Sequence, residues 1–381
     1  MFDQAERLTP FRDQLSVLQG ESRLRSLIGR DGVDFASNDY LGLAGAPRLA
    51  QAVRAALDAG VPVGAAGSRL LRGNADLHER LEAEAADFFG AGAALGFGGG
   101  YVANVAFLST VPQRGDLILM DALSHASTHE GARAGRADVA RFAHGDPQAA
   151  QDVITKWRAG GGKGAVWICV ESLYSMDGDR APLDDLAAIA DREGFLVVDE
   201  AHATGVFGPN GRGLSHHLEG RENVITLHTL GKALGGQGAL ICGARVFRDF
   251  MINRARPFIF ATAPSPLMAA AGVEALAILR DQPGLQAQLA ALVGLFEAEL
   301  RRRLPQLAVS GSQIQPLIVG QNAPTMALAA GLQARGFDIR GVRPPTVPQG
   351  QARLRVSLTL NVSAADIVAL ADALEELWPD L

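Results

Sequence analysis

The chain has 381 residues, 48% hydrophobic and 20% charged. At roughly 150 residues per domain that is a two- to three-domain protein with a sizeable core, and the composition excludes a disordered one. Lys and Arg total 35 against 41 Asp and Glu, a net charge of −6, which argues against a general nucleic-acid binder; any anionic ligand must be held by local positive groups.

In chain order, residues 1–34 read as an N-terminal helical arm with a turn at Gly29-Arg30-Asp31-Gly32. Its opening, MFDQAERLTPF, is acidic and amphipathic, unlike a secretory leader. A short strand and turn follow in FASNDYLGLAG (35–45). From Asp76, Leu77, Leu81, Ala85 and Phe88 recur at helical spacing, and Gly90 stops the helix. Apolar runs at 93–97, 116–121, 165–170, 195–199, 223–228 and 238–243 read as buried strands. Helical patterns over about 101–111, 147–158 and 182–193 separate several of them. Short apolar strands alternating with helices predict an α/β fold, a mainly parallel sheet with helices on both faces. Ligands of such sheets bind beyond the carboxyl ends of the strands.

A long Ala/Leu-rich stretch opens at PSPL (264–267) and ends at Arg301, Arg302, Arg303 and Pro305. This reads more readily as a solvated helix end than as an anion site. QIQPLIVG (313–320) and ARLRVSLTL (352–360) read as strands. The last helix is capped by Ser363 and Asp366, with Ile367, Leu370, Leu374 and Leu377 on its apolar face. The expected organisation is an arm and short strand at 1–45, a large α/β domain at 46–275 and a small α+β C-terminal domain at 276–381. Cys169 and Cys242 each lie in an apolar run and read as buried hydrophobes. No uncharged apolar run reaches about 18 residues. The expected setting is therefore soluble and cytoplasmic, with no membrane span.

Four features at strand ends carry chemistry. GFGGGYVAN (96–104) joins a strand to a helix; it fails the dinucleotide pattern, and reads as a one-phosphate site or a plain tight turn. Asp199 ends the apolar strand FLVVD, a costly place for a charge without a partner, and His202 follows three residues on. Lys232 lies in HTLGKALGGQG (228–238), among close glycines and just past a strand, where a surface loop lysine is the plain alternative. His125 and His129 stand four apart, but no third ligand of metal spacing accompanies them; a ring stacked on a planar ligand fits better. One ligand uses all four features. Pyridoxal 5'-phosphate (PLP) needs a Schiff-base lysine, an acid at its ring nitrogen, a phosphate cradle and a stacking surface.

These residues lie in motifs spread almost end to end: SNDYLGL (37–43), GSRLLRGN (67–74), GYVAN (100–104), SHAS (124–127), SMDGDRAPL (175–183), VDEAHATGVFGPNGRG (198–213) and TLGKALGG (229–236). With them the chain resembles the α-oxoamine synthases, fold-type I PLP enzymes that condense an amino acid with an acyl thioester. The resemblance implies that Lys232 is the Schiff-base lysine, that Asp199 pairs with the ring nitrogen and that His202 lies on the ring-hydroxyl side. It implies that His125 stacks on the ring and contacts substrate, and that Gly100, Tyr101, Ser175 and Thr229 hold the cofactor. Arg355 is expected to fork the amino-acid carboxylate, with Thr346 and Asn38 also at the substrate. An N-terminal arginine is expected there too: ungapped counting gives Arg12, and Arg23 and Arg25 stay open.

QPLIVG (315–320) and RPPTVPQGQARLR (343–355) most resemble the branch that joins L-alanine to a pimeloyl thioester in biotin biosynthesis. The pimeloyl carrier is coenzyme A or an acyl-carrier protein. Condensation of glycine with acetyl-CoA is the alternative within the family. The resemblance also implies a homodimer. One departure stands out: TLNVS (359–363) replaces the family's usual A-x-H, so the corresponding histidine is missing.

Overall fold

The computed structural model describes residues 4–378; the outermost residues of the expected arm and of the expected C-terminal domain, 1–3 and 379–381, lie outside the described residues. The chain divides into two compact units. One comprises 39–175 and 179–288; the other comprises the described residues up to 38, 176–178 and those from 289 onward.

The chain opens with helix α1 (Gln4–Gly20) and the two-residue strand β1 (Val33–Asp34). Helices α2 (Pro47–Asp58) and α3 (Asp76–Phe88) follow, and α3 ends before Gly90, whose φ of +59° suits glycine there. Then come β2 (Ala93–Phe97), α4 (Gly100–Leu108), β3 (Leu117–Asp121), α5 (Ala126–Ala134), β4 (Asp138–Phe142) and α6 (Pro147–Ala159). Asp146 caps α6 by accepting from the Ala149 N–H at 3.0 Å, and Pro147 occupies the first turn. Next are β5 (Val166–Glu171), α7 (Leu183–Glu193), β6 (Gly194–Asp199), β7 (Val224–Thr229) and β8 (Ala239–Gly243). Helices α8 (Arg245–Arg254), α9 (Arg256–Ile259), α10 (Pro266–Asp281) and α11 (Gly284–Arg303) complete this stretch.

The large unit holds a seven-stranded sheet in the order β2-β8-β7-β6-β5-β3-β4. Strands β3 to β7 run parallel to one another, and only β8 opposes its neighbours. The carboxyl ends of β2, β3, β5, β6 and β7 therefore share one edge of the sheet. Successive side chains alternate between two cores. Ile118, Met120, Trp167, Cys169, Val197 and Ile225 pack with residues of α4, α8 and α9. Leu117, Leu119, Val166, Ile168, Leu196 and Val198 pack with residues of α6 and α7 on the other face. Fully apolar strands are what a sheet covered on both faces requires, so the expected α/β architecture is borne out.

The small unit adds β9 (Ile314–Gly320), α12 (Asn322–Gln333), β10 (Phe337–Asp338), β11 (Gly341–Val342), β12 (Ala352–Ser357) and α13 (Ala364–Leu377). Strands β11, β12 and β9 form an antiparallel sheet, and β1 pairs with β10 in parallel. The expected cap of α13 is present: Ser363 and Asp366 bond reciprocally.

Three details differ from the sequence reading. The stretch from 264 to 303 is two helices, because Pro283 follows the Gln282 that closes α10. The arginine run is not uniformly solvated: the Arg303 side chain is covered and pairs with Glu299 on its own helix and Asp372 on α13. Strand β4, at one edge of the sheet, lay outside the apolar pattern because only Phe142 of DVARF is buried. Among the described residues no helix is long and apolar enough to cross a membrane.

Candidate active site

Strand ends and the turns after them bring the large unit's candidates together. Asp199 ends β6; its Oδ2 accepts from Asn104 Nδ2 at 2.8 Å and its Oδ1 from the Ala201 N–H at 3.0 Å. Beside it in register stands Glu171, the last residue of β5 and fully buried. Glu171 accepts the Ser175 N–H at Oε2 over 3.0 Å, while Oε1 is buried without a partner. Burial, then the charge of Asp199, push the Glu171 carboxyl up to about 8, against the pull of Lys232 and the Ser175 bonds.

Lys232 lies in the tight loop after β7. The loop is closed by the Gly236 N–H to the Leu230 carbonyl at 2.8 Å and the Leu230 N–H to the Gly238 carbonyl at 2.9 Å. Gly235 within it has φ +66°, and a Cβ there would stand 2.3 Å from the Leu43 carbonyl carbon, so only glycine lets the loop seat on that backbone. Lys232 Nζ is 2.7 Å from His202 Nε2, and His202 Nδ1 is 2.6 Å from the Tyr40 hydroxyl. Thr229 Oγ1 accepts the Gly231 N–H at 3.2 Å, shaping the turn into this loop.

On the same edge, β2 leads through Gly98 and Gly99 into α4. No side chain caps this helix, and a Cβ at Gly98 or Gly99 would meet nothing within 4 Å. The first-turn N–H groups and the positive end of the helix dipole at Gly100 and Tyr101 could hold an anion. The Tyr101 ring stands edge-on to His125 at 6.2 Å. His125 is the N-cap of α5, and its Nδ1 lies 2.8 Å from Ser127 Oγ and 3.2 Å from the Ser127 N–H. Burial pulls the His125 imidazole below its ordinary range, with Lys232 adding to that and Asp199 opposing it. His129 lies on α5 itself, and among the described residues no group of three or more His, Cys, Asp or Glu could hold a metal ion.

The remaining candidates lie in the small unit. Arg355 sits on β12, largely buried, with Nη1 donating to Ser357 Oγ at 2.6 Å. Arg25 Nη2 donates to Thr346 Oγ1 at 2.9 Å, and Arg23 Nε to the Pro344 carbonyl at 3.2 Å. Arg12 is exposed on α1, and Asn38 is half-buried at the end of the unit's first segment. Arg353, on the same face of β12 as Arg355, is fully buried against Asp177 and the Met176 carbonyl.

The reading of the sequence did not single out Asn104, Ser127, Tyr40 and Glu171. The first three lay inside quoted motifs, but Asn104 and Tyr40 have partners 95 and 162 residues away, at Asp199 and His202. Glu171 had a visible signal: an acid ending the apolar run AVWICV, as Asp199 ends FLVV.

PLP fits this donor set. There is an uncapped helix terminus for a phosphate, a carboxyl group for a ring nitrogen, a lysine for an aldehyde and a buried carboxyl oxygen still to be satisfied.

Fold and site define a fold-type I PLP transferase. The aminotransferase class I and II family model matches residues 30–374. The 8-amino-7-oxononanoate synthase of Anaeromyxobacter dehalogenans (strain 2CP-1) is 41% identical over 93% of this chain and 88% of its own length. Among solved structures, 8-amino-7-oxononanoate synthase from Francisella tularensis superposes with a TM-score of 0.74 at 28% identity, over 91% of this chain and 97% of that one. A serine palmitoyltransferase with PLP gives 0.88 at 25% identity, over 99% and 98%. The chain belongs to the aminotransferase class I and II family, in the branch of the 8-amino-7-oxononanoate synthases. The α-oxoamine synthase resemblance stated from the motifs is thereby borne out.

Proposed function

We propose that the protein is a PLP-dependent acyltransferase that condenses L-alanine with a pimeloyl thioester. The products are 8-amino-7-oxononanoate, carbon dioxide and the free thiol carrier, a step of biotin biosynthesis. The observation that carries this reading is Lys232 at the strand-end edge, 2.7 Å from His202, among Asp199 and the uncapped N-terminus of α4. Bound there, PLP supplies an electron-poor ring that holds the charge left when the alanine Cα proton departs.

The chain's own residues do the rest. Lys232, His125 and Asp199 are the catalytic residues. Asp199, oriented by Asn104 and the Ala201 N–H, would face the ring nitrogen and hold a proton there. Tyr40 and His202 orient the Lys232 amine, which takes up the Cα proton. Gly100, Tyr101, Ser175, His202 and Thr229 grip the cofactor. Arg355 forks the alanine carboxylate. Of the N-terminal arginines, Arg25 has the best support, because it is bonded to Thr346, itself a candidate substrate contact. Arg12 and Asn38 remain candidates for the substrate side.

The enzyme is further proposed to be a cytoplasmic homodimer. Leu8, Phe11 and Leu15 of α1 are 51%, 65% and 52% exposed, an apolar face that a second copy would cover. Sedimentation at the mass of one chain would count against the dimer.

Turnover decides the substrate. Purified holoenzyme given L-alanine and pimeloyl thioester should release the thiol and carbon dioxide at least about tenfold faster than with glycine and acetyl-CoA; a preference for the second pair would replace the reading with that alternative.

A further inference from the structure

Asn104, Ser127, His125 and Asp199 form one unbroken chain of hydrogen bonds. Asn104 Nδ2 lies 2.8 Å from Asp199 Oδ2 and 3.0 Å from Ser127 Oγ, and Ser127 Oγ lies 2.8 Å from His125 Nδ1. Asn104 and Ser127 are both buried, so water does not compete for these bonds.

We propose that Asn104 and Ser127 are positioning residues that lock the His125 imidazole in the tautomer with its proton on Nε2, so that it meets the reacting groups only as a donor. The direction of each bond follows from chemistry. Asp199 Oδ2 accepts from the Asn104 amide nitrogen, which fixes the orientation of the amide. The second hydrogen of that nitrogen points to Ser127 Oγ, which must accept it. The one hydroxyl proton of Ser127 then goes to His125 Nδ1. The Ser127 backbone N–H aims at the same nitrogen from 3.2 Å. With two donors converging on it, Nδ1 presents its lone pair. A neutral imidazole then carries its proton on Nε2, on the far side of the ring from Ser127.

Such a ring can stabilise developing negative charge on an acyl carbonyl oxygen. It cannot take up a proton at Nε2, which leaves Cα deprotonation to Lys232. The relay also ties the orientation of His125 to the carboxylate expected at the ring nitrogen. This inference rests on the proposed function only in placing His125 beside the reacting groups.

The test is nitrogen NMR of holoenzyme labelled with 15N-histidine at neutral pH, with the His125 signals assigned by their loss in His125→Asn. The expected result is a pyridine-type, unprotonated shift at Nδ1 and a pyrrole-type shift with a directly bonded proton at Nε2. Ser127→Ala should lose that single-tautomer signature, with the two nitrogen shifts moving toward each other, and Ser127→Thr should restore it. A pyrrole-type Nδ1 in the wild-type protein overturns the proposal without recourse to any variant. So does an unshifted signature in a folded Ser127→Ala protein. The cofactor band of the same sample is read separately. Wild-type protein that shows the Nε2–H signature but binds no PLP upholds the tautomer and overturns the proposed function.

Discussion

Two acids end neighbouring strands, and their surroundings differ. Asp199 has a donor on each oxygen. Glu171 has one buried oxygen with no partner and the Asp199 charge beside it. An acid whose folded-state pKa rises from 4.5 to about 8 keeps its proton while the unfolded chain loses one, so its contribution to stability falls as pH rises through that window. Glu171→Gln mimics the protonated acid and removes the dependence. Its thermal midpoint should vary less than that of wild type between about pH 5 and 8, and thermal denaturation across that range checks it. An unchanged slope in the variant would show that Glu171 is ionised in the folded protein. At this scale the sequence revealed the groups that announce themselves by type and position, Lys232, Asp199 and His125. It did not reveal Asn104 as the link between two of them, because its partner Asp199 lies 95 residues away and the contact exists only after β2 and β6 join one sheet.

Elements are held together by polar groups that periodicity does not show. His144, just past β4, bonds Asp121 at the end of β3 over 2.8 Å and Asp179 over 2.8 Å, with the Tyr174 ring edge-on at 4.4 Å. Its hydrogen bonds to Asp121 and Asp179 raise the imidazole to about 10. The sign follows: a base with a raised folded-state pKa adds stability that is full below its ordinary value of 6.5 and lost as pH climbs through about 10. His144→Gln should therefore lower unfolding stability by about 1–2 kcal/mol at pH 7, a figure reduced for the ring's partial exposure to solvent. Urea unfolding should show that gap closing at strongly alkaline pH; a gap of the same size there would mean that the imidazolium is not what joins these elements. Strands β2, β3, β5, β6, β7 and β8 were legible because both faces of the sheet are covered and each strand is almost wholly apolar. Edge strand β4 and the two-residue strands β1, β10 and β11 gave no such run, and the Pro283 break was hidden inside a continuous Ala/Leu pattern.

Over the whole molecule, the acidic balance gave only exclusions. The positive function came from local arrangements repeated from SNDYLGL to ARLR. Cofactor candidates fall in the large unit, while Arg12, Asn38, Thr346 and Arg355 fall in the small one. The TLNVS departure is absorbed locally: Thr359 is buried and accepts the Asn361 N–H at 3.2 Å, and Ser363 caps α13.

The most direct measurement is chemical. The purified protein is incubated with PLP, reduced with borohydride, digested and mapped by mass. The phosphopyridoxyl group should be found on the peptide bearing Lys232, and Lys232→Ala should abolish both the label and the visible cofactor band. A label on another lysine, or none with PLP in excess, would contradict the placement of the cofactor on which the proposed function depends.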